Sequence, residues 1–430
     1  MRYVKYPPKS DWPSLLKRPT LDTAQLEAGV NAVLQAVRQQ GDAALKRYTL
    51  EFDKVLLEEL LVQPGAFAEA EAQLAPALKA AMQTAYANIR VFHEQQRIAA
   101  SRVETMPGVS CWRKSVPIEK VGLYIPGGTA PLFSTVLMLG IPAQIAGCSE
   151  IILCTPPQRD GQIHPAILHA AQLVGVTRVV KAGGAQAIGA LAYGTESVPQ
   201  VYKIFGPGNQ YVTAAKQIVS RDGIAIDMPA GPSEVLVCAD DSANPAFVAA
   251  DLLSQAEHGA DSQVVLVAFS EAMVTAVQEA LQSQLAALPR RDMAAKALDN
   301  SLAVVVENRE SALELINAYA PEHLILSVGD PEAMAEAVIN AGSVFLGHYT
   351  PESVGDYASG TNHTLPTNGY ARAYSGVSLD AFVKKITFQQ LSPDGLLRLG
   401  PVVAIMAEAE QLAAHGRAVA IRLEELKKQA

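Results

Sequence analysis

Residues 121–155 read VGLYIPGGTAPLFSTVLMLGIPAQIAGCSEIILCT. A short apolar run, Val121 to Ile125, stops at the turn Pro126-Gly127-Gly128. A helix-like stretch over 133–146 follows, and then a second apolar run, Ile151 to Cys154, too short to be a helix. The same unit recurs downstream. A helix over 163–174 precedes a strand at 178–180, a helix over 185–193 precedes a strand at 201–205, and a helix over 209–220 precedes a strand at 224–227. Strands alternating with helices at this spacing indicate βαβ units and a parallel sheet. Right-handed crossovers make such a sheet a doubly wound, Rossmann-like layer.

Working outward, a second run of the same kind begins at 234–237. It continues through a helix over 245–257, a strand at 264–269, two helices across 271–299 and a strand at 302–306. A helix over 310–319, a strand at 324–327, a helix over 331–340 and a strand at 343–346 complete it. The fold class expected is therefore α/β, with two Rossmann-like parallel-sheet layers meeting near Pro229-Ala230-Gly231-Pro232 and small helical or irregular appendages at both ends. Residues 1–22 read as an irregular arm, 23–48 as helical and 66–99 as one or two long helices. Residues 347–380 read as a long aperiodic loop, and 403–428 as a helix interrupted at His415-Gly416. The division expected is an arm (1–22), a discontinuous α/β domain (23–125 and 233–378), a second α/β domain (126–232) and a C-terminal segment (379–430).

Composition narrows the function classes. Of 430 residues, 49% are apolar and only 18% are charged, below the ~25% of an ordinary globular chain. So uncharged a surface suggests cover by another subunit, with a large monomer as the alternative. Thirty-four basic against 43 acidic residues give a net charge of −9 with no long basic run, which argues against nucleic acid as the main partner. The four cysteines form no C-x-x-C pair and are too few for a disulfide scaffold, so a reducing, cytoplasmic setting is expected. No apolar stretch reaches the ~18 residues of a membrane span, and the N-terminus shows no apolar signal core.

Several constellations could carry chemistry. Gly206-Pro207-Gly208-Asn209 follows a strand and opens a helix, as a phosphate-cradling turn would. Tyr211 stands where the usual third glycine belongs, and Asp227 falls where the fingerprint wants an acidic residue. Gln255 and His258 are three apart and share a helix face; they could offer an amide oxygen and an imidazole to one ion, or His258 could simply cap the helix. Asp356 and His363 sit in the long loop, and such oxygen and nitrogen donors without paired cysteines suit a catalytic zinc or manganese. Glu322 and His323 put an acid beside an imidazole. In a regular strand they would point to opposite faces, and Pro321 makes an irregular chain plausible there. Cys148 and Cys154 flank a strand; a thiolate there could attack an aldehyde, although Cys154 in Ile-Ile-Leu-Cys reads more simply as a packed thiol.

Taken together, GLYIPGGTAPLFSTVLM, KIFGPGNQYVTAAK, DMPAGPSEVLV, LLSQAEHGADSQ, YAPEHL and VGDYASGTNHTLPT resemble the histidinol dehydrogenase family, in order and over essentially the whole chain. The resemblance implies oxidation of L-histidinol to L-histidine through L-histidinaldehyde with two NAD, at the last step of histidine biosynthesis. It implies one zinc per subunit and a homodimer with shared active sites. By position it implies Gln255, His258, Asp356 and His415 as zinc ligands and Glu322 and His323 as the catalytic pair. Ser233, His363 and Glu410 would join the ligands and His323 in holding substrate, and Tyr124, Gln186 and Asn209 would touch NAD. It further implies that Glu410 and His415 come from the neighbouring subunit. A thiol-dependent aldehyde dehydrogenase and a metal-dependent binding protein for histidine precursors are the rival readings.

Overall fold

The computed structural model describes residues 1–19, 23–127, 130–229 and 231–429. Gly128 of the first turn, Ala230 of the junction and the last three residues of the arm lie outside the described residues. In chain order the strands are β1 (Arg2–Lys5), β2 (Arg102–Met106), β3 (Val109–Pro117), β4 (Lys120–Tyr124) and β5 (Glu150–Thr155). They continue with β6 (Arg178–Lys181), β7 (Lys203–Phe205), β8 (Ala225–Ile226), β9 (Glu234–Ala239) and β10 (Gln263–Ala268). The remainder are β11 (Leu302–Val305), β12 (His323–Ser327), β13 (Ser343–Leu346) and β14 (Val383–Leu391). The chain separates into two compact units, residues 1–96 with 118–382 and residues 97–117 with 383–430.

The larger unit carries two parallel sheets, in the orders β6-β5-β4-β7-β8 and β1-β11-β10-β9-β12-β13. This is the α/β, Rossmann-like layering expected from the βαβ spacing. Strands β9, β10 and β11 are apolar almost throughout and wholly buried, as parallel strands covered on both faces must be. Val235, Val237, Leu266 and Ala303 face one core while Leu236, Val265, Val267 and Val304 face another, the alternation of a pleated strand. The five-stranded sheet is sandwiched in the same way. Strand order reverses at β4, which places a crevice at the carboxyl ends of β4 and its neighbours.

Several elements differ from the sequence reading. The arm is not wholly irregular: β1 pairs in parallel with β11, Val4 opposite Val304. The helix over 23–48 is two, Thr23–Gln40 and Asp42–Tyr48, because Gly41 turns left-handed at φ +53° between them. The helix begun at Pro331 stops at Ala335, and the long loop holds a short helix, Glu352–Tyr357. In the smaller unit β14, β3 and β2 form an antiparallel sheet that the periodicity did not reveal. Its strands are mostly exposed and polar, and Trp112 stacks between Phe388 and the Arg102 guanidinium. The C-terminal helix breaks earlier than expected. It divides into Pro393–Ala409 and Ala413–Gln429, with Gln411 left-handed at φ +59°, and Gly416 lies inside the second helix.

Candidate active site

A cavity of about 1180 Å³ opens at the carboxyl ends of the five-stranded sheet. Tyr124 at the end of β4, Gln186 in the helix Gly184–Tyr193 and Asn209 all line it, so the three residues expected to touch a dinucleotide share one wall system. Asn209 also caps the helix Gln210–Arg221, its Oδ1 accepting from the Tyr211 and Val212 amides at 3.0 and 3.2 Å. Gly206 sits at φ +131°, and a Cβ there would collide with the Tyr124 carbonyl, so the turn requires glycine. Asp227 does not serve as the fingerprint's ribose-binding acid. Its Oδ2 accepts the Gly206 N–H at 2.8 Å and its Oδ1 pairs with buried Lys216, which donates to the Gly206 carbonyl at 2.9 Å. Asp227 and Lys216 clamp the turn from within.

The acid–imidazole pair lies elsewhere, at the amino ends of β9 and β12. That is the opposite strand end from the one where open α/β sheets usually bind ligands. His323 is the first residue of β12 and Glu322 stands just before it, outside regular pairing, so both side chains can turn to one side. Glu322 is 6% exposed, and its Oε2 accepts the Glu234 N–H at 2.8 Å and lies 3.6 Å from His323 Nδ1. His323 Nδ1 meets the Glu234 carbonyl at 3.1 Å, while Nε2 meets Asp356 Oδ1 at 3.3 Å. Burial works against charge on this ring, but Glu322, Asp356 and Glu352 outweigh it and hold the imidazole well above its ordinary pKa. Burial would raise the Asp356 carboxyl; the imidazoles of His323, His363 and His258 bring it below its usual value instead.

The surrounding candidates converge on the same place. Gln255 lies in the last turn of the helix Pro245–Ala256, is 1% exposed, donates from Nε2 to the Glu234 carbonyl at 3.4 Å and has the same nitrogen 3.2 Å from His323 Nδ1. His258 does not cap that helix with its ring. Its own N–H closes on Gln255 O at 3.2 Å, and its exposed imidazole acts on Asp356. His363 Nδ1 bonds the Asp356 carbonyl at 2.8 Å and Nε2 meets Thr135 Oγ1 at 3.0 Å; burial keeps this ring below its ordinary pKa. Ser233 immediately precedes β9, its carbonyl accepting from Gln263 N at 3.2 Å. Glu410 and His415 belong to the smaller unit, on either side of the break at Gln411.

Among the described residues no group of three or more His, Cys, Asp or Glu side chains could hold a metal ion. The expected set brings only two such groups from the larger unit, His258 and Asp356, with an amide as the third donor. That amide supports the fit: Gln255 Oε1 is buried with no hydrogen-bond partner. A buried acceptor left unpaired costs roughly 1–3 kcal/mol, and a cation would relieve it. Oxygen and imidazole donors of this kind suit zinc or manganese. The cavity passes a similar test for a dinucleotide, since Gln186 Oε1 and Asp53 Oδ2 on its walls are buried acceptors without donors.

A histidinol dehydrogenase profile matches residues 16–423. The chain belongs to the histidinol dehydrogenase family. Histidinol dehydrogenases are oxidoreductases of the final step of histidine biosynthesis. The chain is 61% identical over 427 residues to the histidinol dehydrogenase of Bacteroides thetaiotaomicron, covering 99% of this chain and 100% of that one. It is 54% identical to the chloroplastic histidinol dehydrogenase of Arabidopsis thaliana, over 96% of this chain and 89% of the relative. The crystal structure of histidinol dehydrogenase from Elizabethkingia anophelis superposes with a TM-score of 0.97, at 53% identity and 99% coverage of both chains. No described helix is long and apolar enough to cross a membrane.

Sequence reasoning missed the support around this candidate site. Arg18 holds the buried Glu234 carboxylate with two bonds, at 2.5 and 2.8 Å, and stacks its guanidinium 4.0 Å above the Tyr319 ring. An acid opening an otherwise apolar run, Glu-Val-Leu-Val, was the available signal for Glu234. Glu352 is 1% exposed, accepts from Ser254 Oγ at 2.6 Å, and is pushed up to about 8 by burial. It stands one helical turn before Asp356, a spacing that could have pointed to it. Cys148 and Cys154, the two thiols singled out in the sequence, are poor nucleophile candidates. Burial pushes Cys148 up to about 12 and Cys154 higher still, so both stay protonated.

Proposed function

We propose that this chain oxidises L-histidinol to L-histidine through L-histidinaldehyde, with two NAD reduced per substrate, as a cytoplasmic homodimer. The observation that carries the reading is the meeting of Glu322 and His323, 3.6 Å apart, beside the unpartnered Gln255 oxygen and Asp356. Gln255, His258 and Asp356 would hold one zinc, with the partner's His415 as the fourth ligand and the partner's Glu410 at the substrate. Bound zinc would supply a positioning charge for the substrate's imidazole and amino nitrogens, and NAD would supply the hydride acceptor in each oxidation.

His323 takes the hydroxyl proton of the alcohol as its carbon is oxidised to the aldehyde. Glu322 and Asp356 hold the ring's pKa up, and a cation held by Gln255, His258 and Asp356 would offset part of that charge. For the second oxidation Glu322 withdraws a proton from water as the oxygen adds to the carbonyl. His323, having passed its first proton to solvent between the two oxidations, then takes the proton released as the hydrated aldehyde becomes the carboxylate. The Glu234 N–H fixes Glu322 Oε2, and His363, braced between Thr135 and the Asp356 carbonyl, and Ser233 border the substrate. Tyr124, Gln186 and Asn209 line the space for the cofactor.

The test is stoichiometric. Zinc-loaded protein given L-histidinol and NAD should form two NADH per histidinol consumed, and no NADH would overturn the reading. In Glu322→Gln the aldehyde step should slow far more than the alcohol step; equal losses in both would remove Glu322 from water activation.

A further inference from the structure

The clamp on Gly206 leaves a question of chemistry. In a doubly wound dinucleotide site an acidic side chain ordinarily receives the hydroxyls of the adenosine ribose, and the residue at the expected position, Asp227, is fully engaged with Lys216 and the Gly206 N–H. Among the described residues that line the cavity, which do not include Asp227, two carry carboxylates, Asp53 and Asp160. Asp160 is exposed, and its Oδ1 is taken by the Gln162 N–H at 2.9 Å. Asp53 differs. Its Oδ2 is buried without a hydrogen-bond partner, and burial alone pushes the carboxyl up to about 6.

The backbone presents Asp53 deliberately. It ends a five-residue π-helical turn, Thr49–Asp53, and the next residue, Lys54, is left-handed at φ +61°. Turns of that kind are costly and gather at functional sites. The cavity also has a direction. Ala130 and Pro131 on its wall lead into the helix Phe133–Ala146, whose Thr135 touches His363 at 3.0 Å, so the reacting end lies there. Asp53 belongs to a different wall, with Gly29, Val30 and Val33 of the helix Thr23–Gln40, and its charge acts on Tyr124.

We infer that Asp53 accepts the hydroxyls of the adenosine ribose and, by its charge, excludes a 2′-phosphate there, selecting NAD over its phosphorylated analogue. The inference rests on the NAD reading above. A ribose hydroxyl would give the unpartnered carboxylate a donor, whereas a 2′-phosphate would set a like charge against Asp53.

The test is a pair of binding titrations, NADH and NADPH each followed by its own fluorescence, on wild type, Asp53→Asn and Asp53→Ser. A hydrogen bond to a charged group contributes about 1.5–3 kcal/mol, so the Kd for NADH should rise about ten- to a hundredfold in both variants. The preference for NADH over NADPH should fall with it, most in Asp53→Ser, which leaves room for the phosphate. The melting temperature of Asp53→Asn should rise, because an unpaired buried charge is gone; a merely structural role would lower it and leave the preference intact. Wild type that binds NADH while both variants bind it within twofold as tightly, with unchanged preference, overturns the assignment of Asp53 alone. Wild type that binds no NADH overturns the cofactor reading and this inference with it.

Discussion

Removing the Arg18 guanidinium should be among the most damaging single changes away from the reacting atoms. The Arg18 side chain is 11% exposed and that of Glu234 is 2%. Two bonds join them, and Arg18 also donates to the Tyr319 carbonyl at 2.8 Å. In Arg18→Met the apolar length remains, but Glu234 keeps only the Asn368 N–H, at 2.8 Å. Stripping one member of a buried ion pair costs about 3–5 kcal/mol. Burial already pushes the Glu234 carboxyl up, so it would take on a proton when left alone, and the loss should fall near ~3 kcal/mol, the lower end of that range. Glu234→Gln in the Arg18→Met background keeps an acceptor for Asn368 and removes the stranded charge, and should recover more than half of the loss. Urea unfolding of the wild type, both single variants and the double closes the cycle through midpoints and slopes. A single-variant loss below ~1 kcal/mol, the scale of an exposed pair, or a double variant as unstable as Arg18→Met, would refute the reasoning. Because the Glu234 N–H anchors Glu322, the turnover of folded Arg18→Met should fall as well.

Mixing His415→Ala subunits with Glu322→Gln subunits should regenerate one intact site per hybrid dimer and restore activity that neither variant has alone; no recovery would argue against shared sites. Asp251 carries a half-buried carboxyl pushed up to about 7 by burial. A carboxyl raised on folding gives its full stability below the unfolded value near 3.8 and loses it as pH rises toward about 7. Asp251→Asn should therefore melt close to wild type at pH ~4 and above it at pH ~8, and a gap that does not widen with pH would remove Asp251 from that slope.

The α/β layers were legible because their strands are short apolar runs, several closed by glycine or proline turns, and the helices between them carry their own period. What escaped notice lacks that signature. Strand β2, Arg-Val-Glu-Thr-Met, is nearly all exposed, so no alternation marks a buried face. Strand β1 depends on a partner three hundred residues away, which local pattern cannot supply. At the site, Glu322 and His323 were visible as chemistry, but their convergence depends on Glu322 standing outside β12, a matter of strand boundary. Gln255 and His258 were grouped on a helix face, whereas the helix ends between them and the turn brings His258 toward Asp356. Asp227 held the expected spacing and a different task, because a buried lysine no fingerprint includes competes for it.

The outer position of β1 ties two distant properties to one short stretch. The opening residues seal one border of the six-stranded sheet, and a few positions later the same stretch delivers Arg18 to Glu234. Trimming it would bare a row of amide groups ready to recruit another chain while unmooring Glu234, whose N–H anchors Glu322. A shortened protein should therefore clump and lose turnover together, and affinity tags belong at the other terminus.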